Sequence, residues 1–275
     1  MPADLHIHSN FSDGTESPAE LVRLAKAGGL TAIALTDHDI IDGIGAAEEE
    51  GSRSKVEVIP GIELTTESPG AEIHILGYFI DYRHPSLTAE LTKIQEGRVK
   101  RIYKIVKKLR ALKIEIDPEE VFALSGSKAP GRPHVARALI KSGAVANFKE
   151  AFNRYLDHRS PAYVPHYKLS PEAAIKLIIG AGGIPVFAHP AISNADKLIP
   201  QLVDNGLRGL EIYYPGYTPE QIAHYLEVAG QYNLLVTGGS DYHGANSGRD
   251  IKLGDLFIPD ELMTKLREAK KMTND

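Results

Sequence analysis

The chain has 275 residues, 43% of them hydrophobic and 24% charged, which suits a soluble globular protein the size of one α/β barrel or a barrel with an insertion. Its net charge of -5 argues against a general nucleic-acid-coating surface, so an anionic substrate would be held by local groups or by metal. With no cysteine, disulfides, thiolate zinc sites, iron–sulfur clusters and cysteine nucleophiles are excluded, and a bound metal must take nitrogen and oxygen ligands, which admits Mn, Fe, Zn, Co or Mg.

In chain order, the first apolar run, Leu5–His8, ends in His6 and His8, two residues apart and so on one face of a strand, with Asp13 just beyond. A helix is expected over Pro18–Ala27, started by Ser17 and a proline at its first position, a start that Ser170-Pro171 and Thr218-Pro219 repeat further along. Strand Ala32–Thr36 leads into Thr36-Asp37-His38-Asp39. Strand Val56–Leu64 carries Glu63, and strand Glu72–Ile80 carries His74. The alternation then stops, and residues 85–165 read as helices over Leu87–Leu112, Pro118–Leu124, Pro133–Ser142 and Phe148–Leu156. It resumes with helix Pro171–Ala181, strand Ile184–Ala188 ending at His189, helix Ala195–Asn205, strand Gly209–Tyr213 and helix Pro219–Tyr232. Last come strand Leu234–Thr237, followed by Ser240-Asp241-Tyr242-His243, and helix Asp260–Lys270.

Strand and helix in alternation point to a parallel sheet. Ligand-type residues after nearly every strand point to a closed barrel, because an open sheet gathers its site at one switch point. The expected organisation is a barrel formed by 1–84 and 166–275, interrupted by a helical subdomain over 85–165. No apolar run approaches the roughly 18 residues of a membrane span, and the N-terminus runs straight into the first motif, so a cytoplasmic enzyme without a signal peptide is expected.

Nine residues, His6, His8, Asp13, His38, Glu63, His74, His189, Asp241 and His243, are candidate metal ligands, too many for one ion and suited to a cluster of two or three. Six of the eleven histidines fall in this set; a lone strand histidine such as His74 can instead bond a carbonyl. His84 and His224 read as surface residues, whereas His158 and His166 could face the site. Asp37 and Asp39 are expected to orient a ligand imidazole, with a spare metal ligand as the alternative for either. The run of lysines and arginines on the first insert helix, among them Arg98 and Arg101, is either a solvated face or an electropositive cap over an anion. In Gly131-Arg132-Pro133-His134 a helix start offers free backbone N–H groups, and Arg132 and His134 add donors for a phosphate; an ordinary capped helix start gives the same pattern.

The set His6-x-His8, Asp13-Gly14, Thr36-Asp37-His38-Asp39, Gly61-Ile62-Glu63, His74, Ala188-His189-Pro190 and Ser240-Asp241-x-His243 resembles the signature of the PHP (polymerase and histidinol phosphatase) family. That resemblance implies a distorted (β/α)7 TIM-like barrel with three ions at one face. By the resemblance, His6, His8, Glu63 and Asp241 would hold one ion, Glu63, His74 and His189 a second, and Asp13, His38 and His243 a third. Divalent ions (Mn, Fe or Zn, two or three per chain) then imply phosphate-ester hydrolysis by metal-activated hydroxide, with Asp13, His38, Glu63, His189, Asp241 and His243 as the catalytic set. Barrel amidohydrolases share His-x-His, but no lysine stands here in their metal-bridging context.

Gly-Arg-Pro-His in such an insert resembles the branch acting on nucleoside 3',5'-bisphosphates or trimming short RNA from its 5' end. It implies a small phosphorylated substrate, with Arg132, His134, Arg159 and Lys168 as binding residues, and neither duplex DNA nor a membrane as partner. The competing expectations are a histidinol-phosphate phosphatase, a non-catalytic domain, and a metal-storage or sensing protein.

Overall fold

The computed structural model describes residues 2–68, 71–125, 129–165, 167–245, 251–256 and 258–272. Seven strands, β1 (Ala3–Ile7), β2 (Ala32–Leu35), β3 (Glu57–Ser68), β4 (Ala71–Tyr78), β5 (Ile184–Phe187), β6 (Gly209–Tyr213) and β7 (Leu235–Gly238), stand side by side in that order. The ring nearly closes, because Ile7 bridges Tyr242 in parallel and the His8 N–H donates to the Tyr242 carbonyl at 2.9 Å. Helices surround this barrel, and no helix among the described residues is long and apolar enough to cross a membrane.

The period of two along the strands divides the core. Ala32 and Ala34, Ile59, Leu76 and Tyr78, and Ile184 and Val186 share one apolar cluster. The intervening Ile33, Leu35, Ile62, Leu64, Ile75 and Phe187 pack instead with Leu21 and Val22 of α1 (Pro18–Ala27) and Ile175 and Ile178 of α7 (Pro171–Gly180). α1 and α10 (Pro219–Gln231) start as expected, with Ser17 and Thr218 side chains accepting from the N–H groups of Glu20 and Gln221.

The sheet is not parallel throughout. β4 runs antiparallel to both β3 and β5, with Thr65 opposite His74 and Ile75 opposite Phe187. The physical reason is length: β3 and β4 are too close in sequence for the crossover of a dozen or more residues that a parallel pair needs. This hairpin matters because Glu63 and His74 sit on its two arms, on the face that continues the Ile59 and Leu76 rows.

Between β4 and β5 lie α3 (Pro85–Ala111), α4 (Pro118–Ser125), α5 (Arg132–Lys141) and α6 (Phe148–Ala151), the last running into a π-helical turn at Phe152–Leu156. The packing division does not fall at residue 85. Leu87, Leu91 and Ile94 of α3 belong to the barrel's helix-facing core, whereas Ile102, Ile105, Val106 and Leu109 join Val121, Val135, Leu139 and Leu156 in a separate cluster. One long helix thus belongs to both bodies. The expected helix over 195–205 is divided into a 3-10 turn at Asp196–Leu198 and α9 (Ile199–Asp204), while α2 (Ile44–Ser54) and the short α8 (Pro190–Ser193) are not among the expected elements. α11 (Asp260–Met272) closes the chain's described part, and its Met263 and Leu266 pack in the Ala32–Val186 cluster.

Candidate metal centre

The alternation of β1 places His6 and His8 side by side, both fully buried. Each meets the Glu63 carboxylate, His6 Nε2 at 3.1 Å and His8 Nε2 at 3.2 Å from Oε2. His38 Nδ1 reaches the same oxygen at 3.1 Å. Glu63 Oε1 meets His74 Nδ1 at 2.8 Å and His189 Nε2 at 3.1 Å. Five imidazoles therefore crowd one carboxylate. Asp241 Oδ1 lies 3.1 Å from His8 Nε2 and 3.4 Å from His243 Nδ1, and Asp13 Oδ1 lies 3.2 Å from His243 Nε2. All nine candidate ligands thus converge on one end of the barrel.

Among the described residues three donor groups emerge, each with its donor atoms within 4.8 Å of one another: His6, His8, Glu63 and Asp241; His8, Asp13, His38 and His243; and His38, Glu63 and His74. Both ring nitrogens of His8, Nδ1 of His38 and of His189, Nε2 of His243 and Oδ1 of Asp13 are buried without a hydrogen bond. Buried polar atoms are normally paired. Lone-pair atoms facing one another without intervening donors fit divalent cations.

The electrostatics fit the same reading. Burial alone would raise the Glu63 and Asp13 carboxyls, but the imidazoles of His38, His6 and His74 around Glu63, and of His243 and His38 around Asp13, hold both well below the carboxylate range. Burial opposes charge on His8 and His74 as well, yet Asp241 and Glu63 push His8 up to about 9, and Glu63 with Glu72 pushes His74 up to about 10. For His38 burial wins, and its pKa falls to about 3.

Two residues that sequence reasoning did not single out support the cluster. Glu211, fully buried in the middle of β6, accepts from His6 Nδ1 at 2.9 Å through one oxygen and from the His189 backbone N–H at 2.8 Å through the other. The second bond holds His189 where its backbone is left-handed, at φ 32°. The available signal was a lone carboxylate in the apolar run Gly209-Leu210-Glu211-Ile212-Tyr213. Tyr214 Oη donates to Asp241 Oδ2 at 2.7 Å.

Asp37 and Asp39 do not orient an imidazole. Asp37 accepts from the Ser9 N–H and hydroxyl and from the Ser12 hydroxyl, which orders the loop carrying Asp13. Asp39 accepts from the Thr65 N–H and from Arg98 Nε, each at 3.0 Å. With His38 turned to the cluster, both sequence neighbours turn away from it.

Beside the cluster opens a cleft of about 170 Å³, whose lining includes Asp13, His38 and His74 of the cluster together with Glu72, Arg98, Arg101, Arg132 and Phe152. Arg132 lines it, with Nη2 3.1 Å from Glu72 and its guanidinium 5.7 Å and 5.9 Å from the Phe152 and Tyr163 ring centres. His134 also lines it but is 1% exposed, its Nδ1 accepting from the Gly131 N–H at 3.0 Å. Lys168 is paired with Glu72 and stands back from the cleft wall. Arg159 is exposed and lines no part of the cleft. His158 and His224 are exposed, His84 is half-buried at the start of α3, and His166 lies outside the described residues.

Residues 4–181 match the family model described as the PHP domain. The chain is 37% identical over 265 residues to a 5'-3' exoribonuclease of Haemophilus influenzae, an alignment covering 93% of this chain and 96% of that protein. It is 32% identical over 255 residues to a 3',5'-nucleoside bisphosphate phosphatase of Chromobacterium violaceum, covering 90% of each. A solved structure of a proposed metal-dependent phosphoesterase from Bifidobacterium adolescentis superposes with a TM-score of 0.88 at 31% identity, covering 96% of this chain and 94% of that one.

Proposed function

The chain belongs to the PHP domain family and is a metal-dependent phosphoesterase, and from that premise we propose that it hydrolyses a phosphate ester of a small nucleotide, a nucleoside 3',5'-bisphosphate or the 5' end of a short RNA. The observation that carries the reading is the convergence of nine nitrogen and oxygen ligands, six of them buried and three half-buried, beside an arginine-lined cleft. Relatives matching about nine-tenths of the chain are named for nucleotide and RNA chemistry, so the histidinol-phosphate alternative is not favoured. A cytoplasmic location goes with a nucleotide substrate.

In this reading His6, His8, Glu63 and Asp241 hold one divalent ion, Glu63, His74 and His189 a second, and Asp13, His38 and His243 a third. Bound ions supply activation of water near neutral pH and neutralise charge on the phosphate. The chain's own groups do the positioning. Glu63 joins two of the sets through its two oxygens. Glu211 fixes the ring of His6, so that Nε2 faces the cluster. Arg132 is placed by Glu72 at the cleft wall, where its planar fork can turn to a phosphate. Helices α3 and α5 contribute Arg98, Arg101, Arg132 and His134 to the cleft wall.

The test is release of phosphate from adenosine 3',5'-bisphosphate, and of nucleoside 5'-monophosphate from a 5'-phosphorylated oligoribonucleotide, by protein loaded with Mn²⁺, with phosphate release from histidinol phosphate in parallel. Turnover of either nucleotide substrate well above that of histidinol phosphate is expected. Turnover of histidinol phosphate alone would overturn the reading.

A further inference from the structure

Asp13 is the candidate ligand that stands farthest along the chain from a strand, since β1 ends at Ile7. The loop that carries it doubles back over the strand end. The Ser12 and Gly14 N–H groups both donate to the Ser9 carbonyl, at 3.1 Å and 3.0 Å, and a Cβ on Gly14 would lie 2.3 Å from the His8 carbonyl oxygen. From the barrel, Asp37 holds Ser9 and Ser12, but these bonds stop short of Asp13. Among the described residues the one hydrogen bond to the Asp13 main chain comes from the insert: Arg137 Nη2 donates to its carbonyl at 2.6 Å. Arg137 lies one turn after His134 on α5, and the His134 ring faces the same loop at Ser12 and Asp13. The helix itself packs in the insert's apolar cluster through Val135, Ala136, Ala138 and Leu139.

We propose that Arg137 is a positioning residue for the metal centre: by fixing the Asp13 main chain, it lets the insert, and not the barrel alone, complete the donor set of Asp13, His38 and His243. This role deepens the function proposed above and rests on its three-set reading of the metals. Three features mark positioning and not substrate contact. Arg137 is half-buried and lines no part of the cleft. It bonds the Asp13 carbonyl and leaves the carboxylate alone, whose Oδ1 is buried without a hydrogen bond, 3.2 Å from His243 Nε2 and 3.9 Å from His8 Nδ1. A guanidinium on that carboxylate would occupy the lone pairs an ion needs. Burial lowers the pKa of Arg137 and the Asp13 carboxylate opposes the fall, so a cation stands beside the loop's anion and holds it electrostatically as well. The remaining ligands, His6, His8, Glu63, His74, His189 and Asp241, lie on the barrel strands or within three residues of their ends. Loss of the Arg137 bond therefore falls on one set.

The experiment measures stepwise Mn²⁺ binding by equilibrium dialysis on full-length wild type, Arg137→Met, Arg137→Lys and Asp13→Asn, the last to mark which step belongs to the Asp13 set. Arg137→Met should weaken that step by about tenfold or more and leave the others at wild-type affinity. Arg137→Lys should fall between, because an ammonium can still donate to the carbonyl. Equal weakening at every step, or wild-type affinity at the marked step, would overturn the assignment. Amide hydrogen exchange on the metal-free proteins reads the loop itself. Protection of the Ser12 and Gly14 amides should fall in Arg137→Met while β1 and α5 keep theirs. Unchanged protection in the loop, or an equal loss along α5, would overturn the positioning role. If wild type takes up fewer than three ions, the three-set reading fails, while exchange still decides whether Arg137 holds the Asp13 loop. Should Arg137→Met not fold, Arg137→Lys is read by the same two measurements.

Discussion

Single buried side chains at this site each serve two masters. Glu211 orients one imidazole and pins the backbone that presents another, and Asp37 ties the loop that carries Asp13. His134 does the same for the insert, because its Nδ1 accepts the Gly131 N–H at the start of α5. Only an unprotonated nitrogen can accept that bond. Burial, opposed by Asp13 and reinforced by Arg137 and Arg98, holds the His134 pKa down to about 4. In the unfolded chain histidine titrates near ~6.5, so between those values the unfolded state takes up a proton that the folded state refuses. Stability from this group is fully present above about pH 6.5 and is lost as pH falls toward 4, on the order of 2 kcal/mol by pH 4.5. His134→Gln keeps an acceptor and removes the titration. Urea unfolding of metal-free protein at pH 7 and pH 4.5 should therefore show a smaller acid loss in the variant than in wild type; parallel losses would contradict this account.

Among the elements, the seam between β1 and β7 bears most directly on the metal centre, since it closes the ring where His6 and His8 stand. Asp4 fastens it by accepting the Ser240 N–H at 2.8 Å and the Gly254 N–H at 3.1 Å. The strands approach so closely that a Cβ on Gly239 would lie 2.3 Å from His6 Cβ and 2.4 Å from His6 N. Gly239→Ala must push β7 away from β1, which should cost about 1–3 kcal/mol and lower the metal content of the purified protein. A variant with wild-type metal content and stability would show that the seam can shift at no cost to the site. Much of this level was legible beforehand. Period-two alternation located β1 and with it the shared face of His6 and His8, and the proline and hydroxyl starts located α1, α7 and α10. The antiparallel β4 was hidden behind the expectation of alternation, although the short link between Glu63 and His74 already forbade a crossover helix. α2 begins at Gly43 with no side-chain cap and contains Gly45 and Gly51, so it lacked the start signal that marked the other helices. Glu211 stayed concealed because its partners come from β1 and from the turn after β5, a relation that only closure of the ring creates.

At the scale of the whole molecule, two apolar bodies share α3, and the cleft lies where they meet, with ligands from the barrel on one wall and arginines from α3 and α5 on the other. Metal-free, that junction holds imidazoles raised toward charge around carboxylates pushed down, together with buried ring nitrogens that have no bond. Divalent ions replace these protons and satisfy those nitrogens only in the folded chain, so binding must stabilise folding. For one site at a metal concentration 100 times Kd the gain is about 2.7 kcal/mol. In a protein of this size each kcal/mol moves Tm by about 2–4 °C, which gives a rise of roughly 5–10 °C per fully loaded site. Glu63 touches five of the six cluster imidazoles, and among the described residues no other carboxylate reaches His6 and His74 together. Glu63→Gln should consequently bind less metal by elemental analysis and lose most of the Mn²⁺-induced rise in Tm, because an amide offers one weak acceptor where the carboxylate offers two charged ones. A Glu63→Gln protein whose Tm climbs with Mn²⁺ as the wild type does would mean that the ions are held by the Asp13 and Asp241 groups alone, and that Glu63 is not the residue joining the sites.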